Sequence, residues 1–199
     1  MFYKIAKAIV LFIARVFYRI EIKGGENIPK GEGYIVYCNH LSFADPVFLT
    51  YLIGKKLRIM AKKELFKTKF LEKVFLSLGA FPVDRGKNDT SAIDRAAESI
   101  NSGEVMLIFP EGTRSKTGKT GRFKAGVTIV ALKTGANLLP VVIQYSKGMK
   151  LGSKITMSVQ PMVKNEELGV NDLSTKSLRT ATQLLQNKIE EGIEKLAEN

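Results

Sequence analysis

The chain is poor in the residues that build covalent or metal-held scaffolds: its 199 residues include one cysteine and one histidine. A single cysteine excludes an internal disulfide and suits a reducing compartment. One cysteine and one histidine together argue against a zinc site, and no metal is expected. No run of about 18 uncharged apolar residues occurs, so a conventional spanning helix is not expected. No repeat or low-complexity linker divides the chain, and its length suits one domain. Acidic residues are scarce as well, with 19 Asp and Glu against 31 Lys and Arg, a net charge of +12. Residues 161–199 carry 5 basic and 7 acidic side chains, so the excess lies in residues 1–160. A basic body of this kind suits an anionic partner: nucleic acid, anionic lipid or a phosphorylated substrate.

Apolar β-prone runs alternate with helical patterns. Strands are expected near Glu21–Lys23, Tyr34–Cys38, Leu57–Ala61, Ala80–Val83, Val105–Phe109, Leu138–Gln144 and Lys154–Val159. Helices are expected over Pro46–Ile53, Ser91–Ile100, Phe123–Lys133 and Leu173–Ala197. The alternation predicts an α/β class, with a mainly parallel central sheet flanked by helices. Val105–Phe109 is uniformly apolar, as befits a strand buried on both faces.

Residues 1–20 form a separate unit. On a helix, Lys4, Lys7, Arg15 and Arg19 fall within an arc of roughly 120°. Phe2, Ile5, Ile9, Phe12, Ile13, Val16, Phe17 and Ile20 fill the other side. This pattern suits an amphipathic helix lying in a membrane interface, ahead of a single domain over 21–199. A signal peptide fits less well, since Ala8–Ala14 is a short uncharged core and Arg15–Tyr18 offers no small-residue cleavage site. Between Lys55 and Lys73, basic residues interleave with Leu65, Phe66, Phe70, Leu71, Val74 and Phe75. That run reads either as a second membrane-facing surface or as a solvated helix.

Three polar knots end apolar strands. The first, Cys38-Asn39-His40-Leu41-Ser42-Phe43-Ala44-Asp45, holds both the histidine and the cysteine. Histidine moves protons near neutral pH, and Asp45 stands where it can orient the imidazole of His40. Asp45-Pro46 also reads as an N-cap followed by proline at the first helical position, a compatible role. Cys38 and His40 would share a strand face, which leaves covalent catalysis by Cys38 as a rival chemistry. The second knot carries Arg85. The third carries Glu111, Gly112, Thr113 and Arg114, with Lys116, Lys119, Arg122 and Lys124 following. Arginine grips phosphate with two parallel bonds, and glycine lets backbone amides approach an anion. Each arginine also has a structural reading, a salt bridge from Arg85 to Asp84 or Glu111 among them. Gly118-Lys119-Thr120 resembles the end of a phosphate-binding P-loop, but Thr113 stands where that pattern needs glycine. Strand ends on one side of a parallel sheet converge, so the three knots are expected to share a site.

These knots carry a resemblance. Asn39-His40-Leu41-Ser42-Phe43-Ala44-Asp45 resembles the NHxxxxD block of the glycerolipid acyltransferases. Gly79-Ala80-Phe81-Pro82-Val83-Asp84-Arg85 is similar to their second block, and Phe109-Pro110-Glu111-Gly112-Thr113-Arg114-Ser115 to their third, FPEGTRS. Leu139-Pro140-Val141-Val142 resembles their fourth. The resemblance covers roughly residues 34–145. It implies transfer of a fatty acyl group from acyl-CoA or acyl-acyl carrier protein to the 2-hydroxyl of lysophosphatidic acid, giving phosphatidic acid. It further implies His40 as general base, Asp45 as its orienting acid, and a glycerol-phosphate site of Arg85, Glu111, Gly112, Thr113 and Arg114, with Lys124 beside them. Pro140 would shape the acyl pocket. No cofactor is implied beyond the thioester co-substrate, and no nucleic acid. The substrates place the protein at the cytoplasmic face of the cell membrane, peripheral or monotopic, on an anionic leaflet. Glycerol-3-phosphate acyltransferase and phospholipid transacylase share these motifs. A basic module that binds anionic lipid or nucleic acid without turnover is the alternative from another class.

Overall fold

The computed structural model describes residues 16–31, 33–83, 90–115, 117–148 and 150–198. In chain order the elements are β1 (Arg19–Lys23), β2 (Ile35–Cys38), α1 (Asp45–Ile53), β3 (Leu57–Lys62), α2 (Lys69–Ser77), β4 (Ala80–Val83), α3 (Thr90–Asn101), β5 (Val105–Ile108), α4 (Gly126–Thr134), β6 (Leu138–Tyr145), β7 (Lys154–Val159) and α5 (Thr175–Ala197). The strands form one sheet in the order β1-β7-β6-β2-β5-β3-β4. Every pairing is parallel except the β6–β7 hairpin.

Strand alternation divides the core between the two sheet faces. Ile35, Tyr37, Met106, Ile108, Leu138 and Val142 meet Ala96 of α3, Val127 and Val130 of α4, and Leu185 and Ile189 of α5. Val36, Cys38, Ile59, Leu107, Leu139, Val141 and Met157 meet Phe48 and Leu49 of α1. β2 and β5, at the centre, are buried along their whole length. Such strands are apolar throughout because neither face meets water. Their carboxyl ends lie side by side, and there the first and third knots emerge.

Three elements depart from expectation. The helix expected over 1–20 does not continue to residue 20: Arg19 and Ile20 belong to β1, paired with Lys154 and Ile155. The alternation Arg-Ile-Glu-Ile-Lys has a strand's period, and the open edge of β7 supplies the ladder. The single-domain boundary at residue 21 therefore falls inside a strand, and residues 1–15 lie outside the described residues. α4 begins at Gly126, not Phe123; the segment before it is tied down by the Phe123 and Lys124 amides, which donate to Gln186 Oε1 and to the Pro110 carbonyl. The basic stretch after β3 contains a helix, α2, whose Phe75 turns toward the core.

Candidate active site

Asn39 locks the first knot in place. Its buried amide donates to the Ile143 carbonyl (3.0 Å) and accepts from the Ile143 amide (2.9 Å). This side chain imitates a peptide and extends the β2–β6 ladder past the strand end. The next residue, His40, is thereby delivered to the carboxyl edge of the sheet. Its ring stacks on Phe109 at 3.9 Å between centres, and its side chain keeps 14 % exposure.

His40 Nδ1 lies 2.7 Å from Asp45 Oδ2. The same oxygen accepts the backbone amides of Leu41 (2.7 Å) and Ser42 (2.8 Å). Asp45 Oδ1 accepts a short hydrogen bond from the Tyr145 hydroxyl. Asp45 has no exposed surface, so these donors replace water around its carboxylate. An ionised carboxylate only accepts, so Nδ1 carries the ring proton and Nε2 is left as the proton acceptor. Asp45 is not the N-cap. It is the first residue of α1, after Ala44, and its side chain turns back over the loop. There the positive end of the helix dipole also favours its charge.

Tyr145 is a residue the sequence reasoning missed. It ends β6, one hundred positions from Asp45, where the strand was expected to stop at Gln144. Burial first, and then the charge of Asp45, pushes its phenol far above the ordinary tyrosine range, so it remains a donor.

Glu111 also differs from expectation. It is 4 % exposed, and its two oxygens accept the amides of His40 (2.8 Å) and Gly121 (2.8 Å). Desolvation raises its acid above the usual glutamate value even against these two donors. Its geometry is that of a clamp between the two loops, and a carboxylate so committed offers nothing to a phosphate. The Ser115 amide returns a bond to the His40 carbonyl (2.8 Å), tying the third knot to the first. A β-carbon at Gly121 would lie 2.9 Å from Glu111 Oε2, so a larger residue there would press on the carboxylate.

Thr113 and Arg114 are exposed. The Arg114 guanidinium lies over the Phe43 ring, 3.3 Å from its centre, and has no carboxylate within ion-pair distance among the described residues. Gly112 adopts a positive φ of 69° in the turn closed by its amide on the Phe109 carbonyl. A β-carbon at Gly112 would meet Lys124 Nζ at 3.0 Å, so the ammonium of Lys124 folds over this turn. Arg85 lies outside the described residues.

His40, Thr113 and Arg114 open onto one cavity of about 580 Å3, within the size range of small-molecule sites. Val47 of α1, Ile59 and Ala61 of β3, Leu65, Phe75 of α2 and Phe109 give it an apolar wall. Leu65 and Phe75, two of the apolar residues interleaved with the basic run, thus face a cavity. Pro140 does not line it. It shares a strand face with Leu138 and Val142, which pack under α4 and α5 on the other side of the sheet. Cys38 has no exposed surface, and burial pushes its thiol well up. That is the opposite of an activated nucleophile. Among the described residues no group of three His, Cys, Asp or Glu is arranged to hold a metal ion.

A histidine backed by a buried carboxylate at the mouth of an apolar cavity, with an arginine that has no carboxylate partner among the described residues alongside, is equipped to activate a hydroxyl beside an anion. Comparison with known proteins gives the family. The family model described as acyltransferase matches residues 19–144, from the first residue of β1 to the penultimate residue of β6. The chain belongs to the acyltransferase family. A 1-acyl-sn-glycerol-3-phosphate acyltransferase of Bacillus subtilis is 31% identical over 183 residues, spanning 89% of each chain. One of Borreliella burgdorferi is 29% identical over 185 residues, 88% of this acyltransferase and 72% of its relative. The crystal structure of the 1-acyl-sn-glycerophosphate acyltransferase PlsC of Thermotoga maritima superimposes with a TM-score of 0.72 at 26% identity, covering 100% of this chain and 78% of that one. The α/β architecture of this acyltransferase, with its mostly parallel sheet, is therefore shared with an enzyme of known structure.

Proposed function

We propose that this acyltransferase moves a fatty acyl group from an acyl thioester, acyl-CoA or acyl-acyl carrier protein, to the 2-hydroxyl of 1-acyl-sn-glycerol-3-phosphate. The observation that carries this reading is the His40–Asp45 pair opening, beside Arg114, into an apolar cavity. His40 Nε2 takes the hydroxyl proton as the oxygen attacks the thioester carbonyl. Asp45 holds the proton on Nδ1 and stabilises the imidazolium that forms. The tetrahedral intermediate then collapses, the carbon–sulfur bond breaks, and the imidazolium returns its proton to the departing thiolate. Arg114 grips the phosphate, with Lys124 and Thr113 beside it, and the apolar wall takes up acyl chain. The net charge of +12 supports residence on an anionic leaflet, with the enzyme peripheral or monotopic on the cytoplasmic face and residues 1–15 contributing to docking.

Thiol release from acyl-CoA or acyl carrier protein, with mass spectrometry of the lipid product, tests the reaction. His40→Ala is expected to lower turnover by at least about a thousandfold, while Cys38→Ala keeps most of it. Loss of turnover in a folded Cys38→Ala enzyme overturns the general-base assignment.

A further inference from the structure

The antiparallel β6–β7 hairpin turns at the same end of the sheet as His40, because β6 runs parallel to β2. β1 starts at that end too, since it runs parallel to β7. The two segments meet: the Gly152 amide donates to the Phe17 carbonyl (2.8 Å), and the Arg19 amide to the Ser153 carbonyl (3.1 Å). Next along the chain, Tyr18 packs edge-on against Phe48, which in turn packs against Tyr145. Tyr145 holds Asp45, so the patch connects to the site through three side chains.

What it presents to solvent is unusual. Leu151 is 74 % exposed, Val16 58 % and Phe17 47 %. Single exposed apolar residues need no explanation, but here Leu151 on a braced turn stands where that turn meets Val16 and Phe17, the residues leading into β1. Buried Ser153 fixes that turn, its hydroxyl bonding Ser146 Oγ and accepting the Lys147 amide. Arg19, Lys147 and Lys150 are exposed around the patch and have no carboxylate partner among the described residues. Glu21, on β1, is matched by Lys154. Residues 141–160 contain no acidic side chain.

We propose that this rim, Leu151 with Val16 and Phe17 framed by Arg19, Lys147 and Lys150, is a contact surface for an anionic lipid leaflet. It sets the cavity mouth at the bilayer. The argument is charge complementarity: apolar side chains enter the headgroup region while unpaired cations meet anionic lipid. The braced turn holds Leu151 outward before any contact, so little ordering cost falls on docking. The proposal rests on the reading that the acceptor is a bilayer lipid, and it extends to the β6–β7 turn, at a folded edge of the sheet, a role expected of a helix over residues 1–20.

The test uses the full chain carrying Leu151→Cys, labelled with an environment-sensitive dye. Cys38 is fully buried, which directs the label to the introduced thiol. Lys30→Cys, at the opposite end of the sheet, is the control. Mixed phosphatidylglycerol and phosphatidylcholine vesicles are expected to blue-shift the dye at position 151, with quenching by spin-labelled lipid, and to leave the control unmoved. Adding Lys147→Glu and Lys150→Glu is expected to raise the lipid concentration needed by at least about thirtyfold. A dye at 151 unmoved by vesicles overturns the proposal. So does a dye already shielded in their absence, which would mean that the patch is covered by this chain or by a second copy. Acyl transfer by the unlabelled enzyme is measured separately, so failure of the reaction and failure of the rim give different results.

Discussion

Glu111→Gln separates two roles for the one carboxylate in the third knot. The substitution keeps shape and removes charge. Glu111 accepts the amides of His40 and Gly121 at 2.8 Å each, and bonds of an amide to a charged acceptor contribute about 1.5–3 kcal/mol each. Glutamine accepts from one amide and points its own N–H2 at the other, recovering about 1 kcal/mol on one side. It also spares the burial of a charge, the effect that raises the acid of Glu111 in the native protein. The net loss comes to about 2–3 kcal/mol. For a chain of this length each kcal/mol moves the melting temperature by about 2–4 °C, so calorimetry is expected to show a fall of about 4–12 °C. Because the side chain then holds only one of the two loops, the tie between the first and third knots slackens, the ring drifts, and misplacement of a reacting group by about 1 Å costs roughly a hundredfold in rate. The clamp therefore predicts a lower kcat with KM for the phosphorylated acceptor unchanged. A variant of native stability and native kcat, whose KM for the acceptor alone shifts, would refute the clamp and restore a direct role at the phosphate.

Tyr145→Phe removes the donor to Asp45 Oδ1 and leaves a buried carboxylate oxygen unpaired, at about 1–3 kcal/mol. Urea melts are expected to show that loss, and kcat to fall about tenfold or more with KM little changed; an unaltered enzyme would mean that Asp45 is held by its other three donors alone. Arg114→Ala is expected to leave stability within about 1 kcal/mol, since the side chain is exposed, and to raise KM for the acceptor about 10- to 100-fold; equal KM values in the two enzymes would remove Arg114 from the phosphate. Stability is also expected to fall in alkali. Burial raises the acids of Cys38, Tyr37 and Tyr145 in the folded chain, so the unfolded chain releases these protons first. The stability they contribute is complete below the unfolded values, about 8.5 for cysteine and about 10 for tyrosine. Each then loses up to about 1.4 kcal/mol per pH unit above its own onset. Urea midpoints in Cys38→Ala are expected to stay flat between about pH 8.5 and 10; a native-like decline there would assign the effect to other groups.

The amino-acid sequence by itself determined most of the scaffold and the chemistry-bearing positions. Continuous apolar runs at β2 and β5, bounded by polar knots, specify buried central strands regardless of their partners, because such runs are stable only with both faces covered. Strand order was beyond reach, since pairing joins residues far apart in the chain. Only the tertiary structure decided which side chains meet. Tyr145 reaches Asp45 across one hundred positions, and no local pattern encodes that contact. The family resemblance implies Glu111 at the glycerol phosphate, yet burial and two amides give it the geometry of a clamp. Pro140 sits in a recognisable block, but strand alternation turns it from the cavity, whose wall is built instead by Ile59, Leu65 and Phe75 from β3, the turn after it and α2. Residue type is a local property that the sequence carries directly; burial, partner and facing side are products of packing, and these turn a set of competent residues into a site.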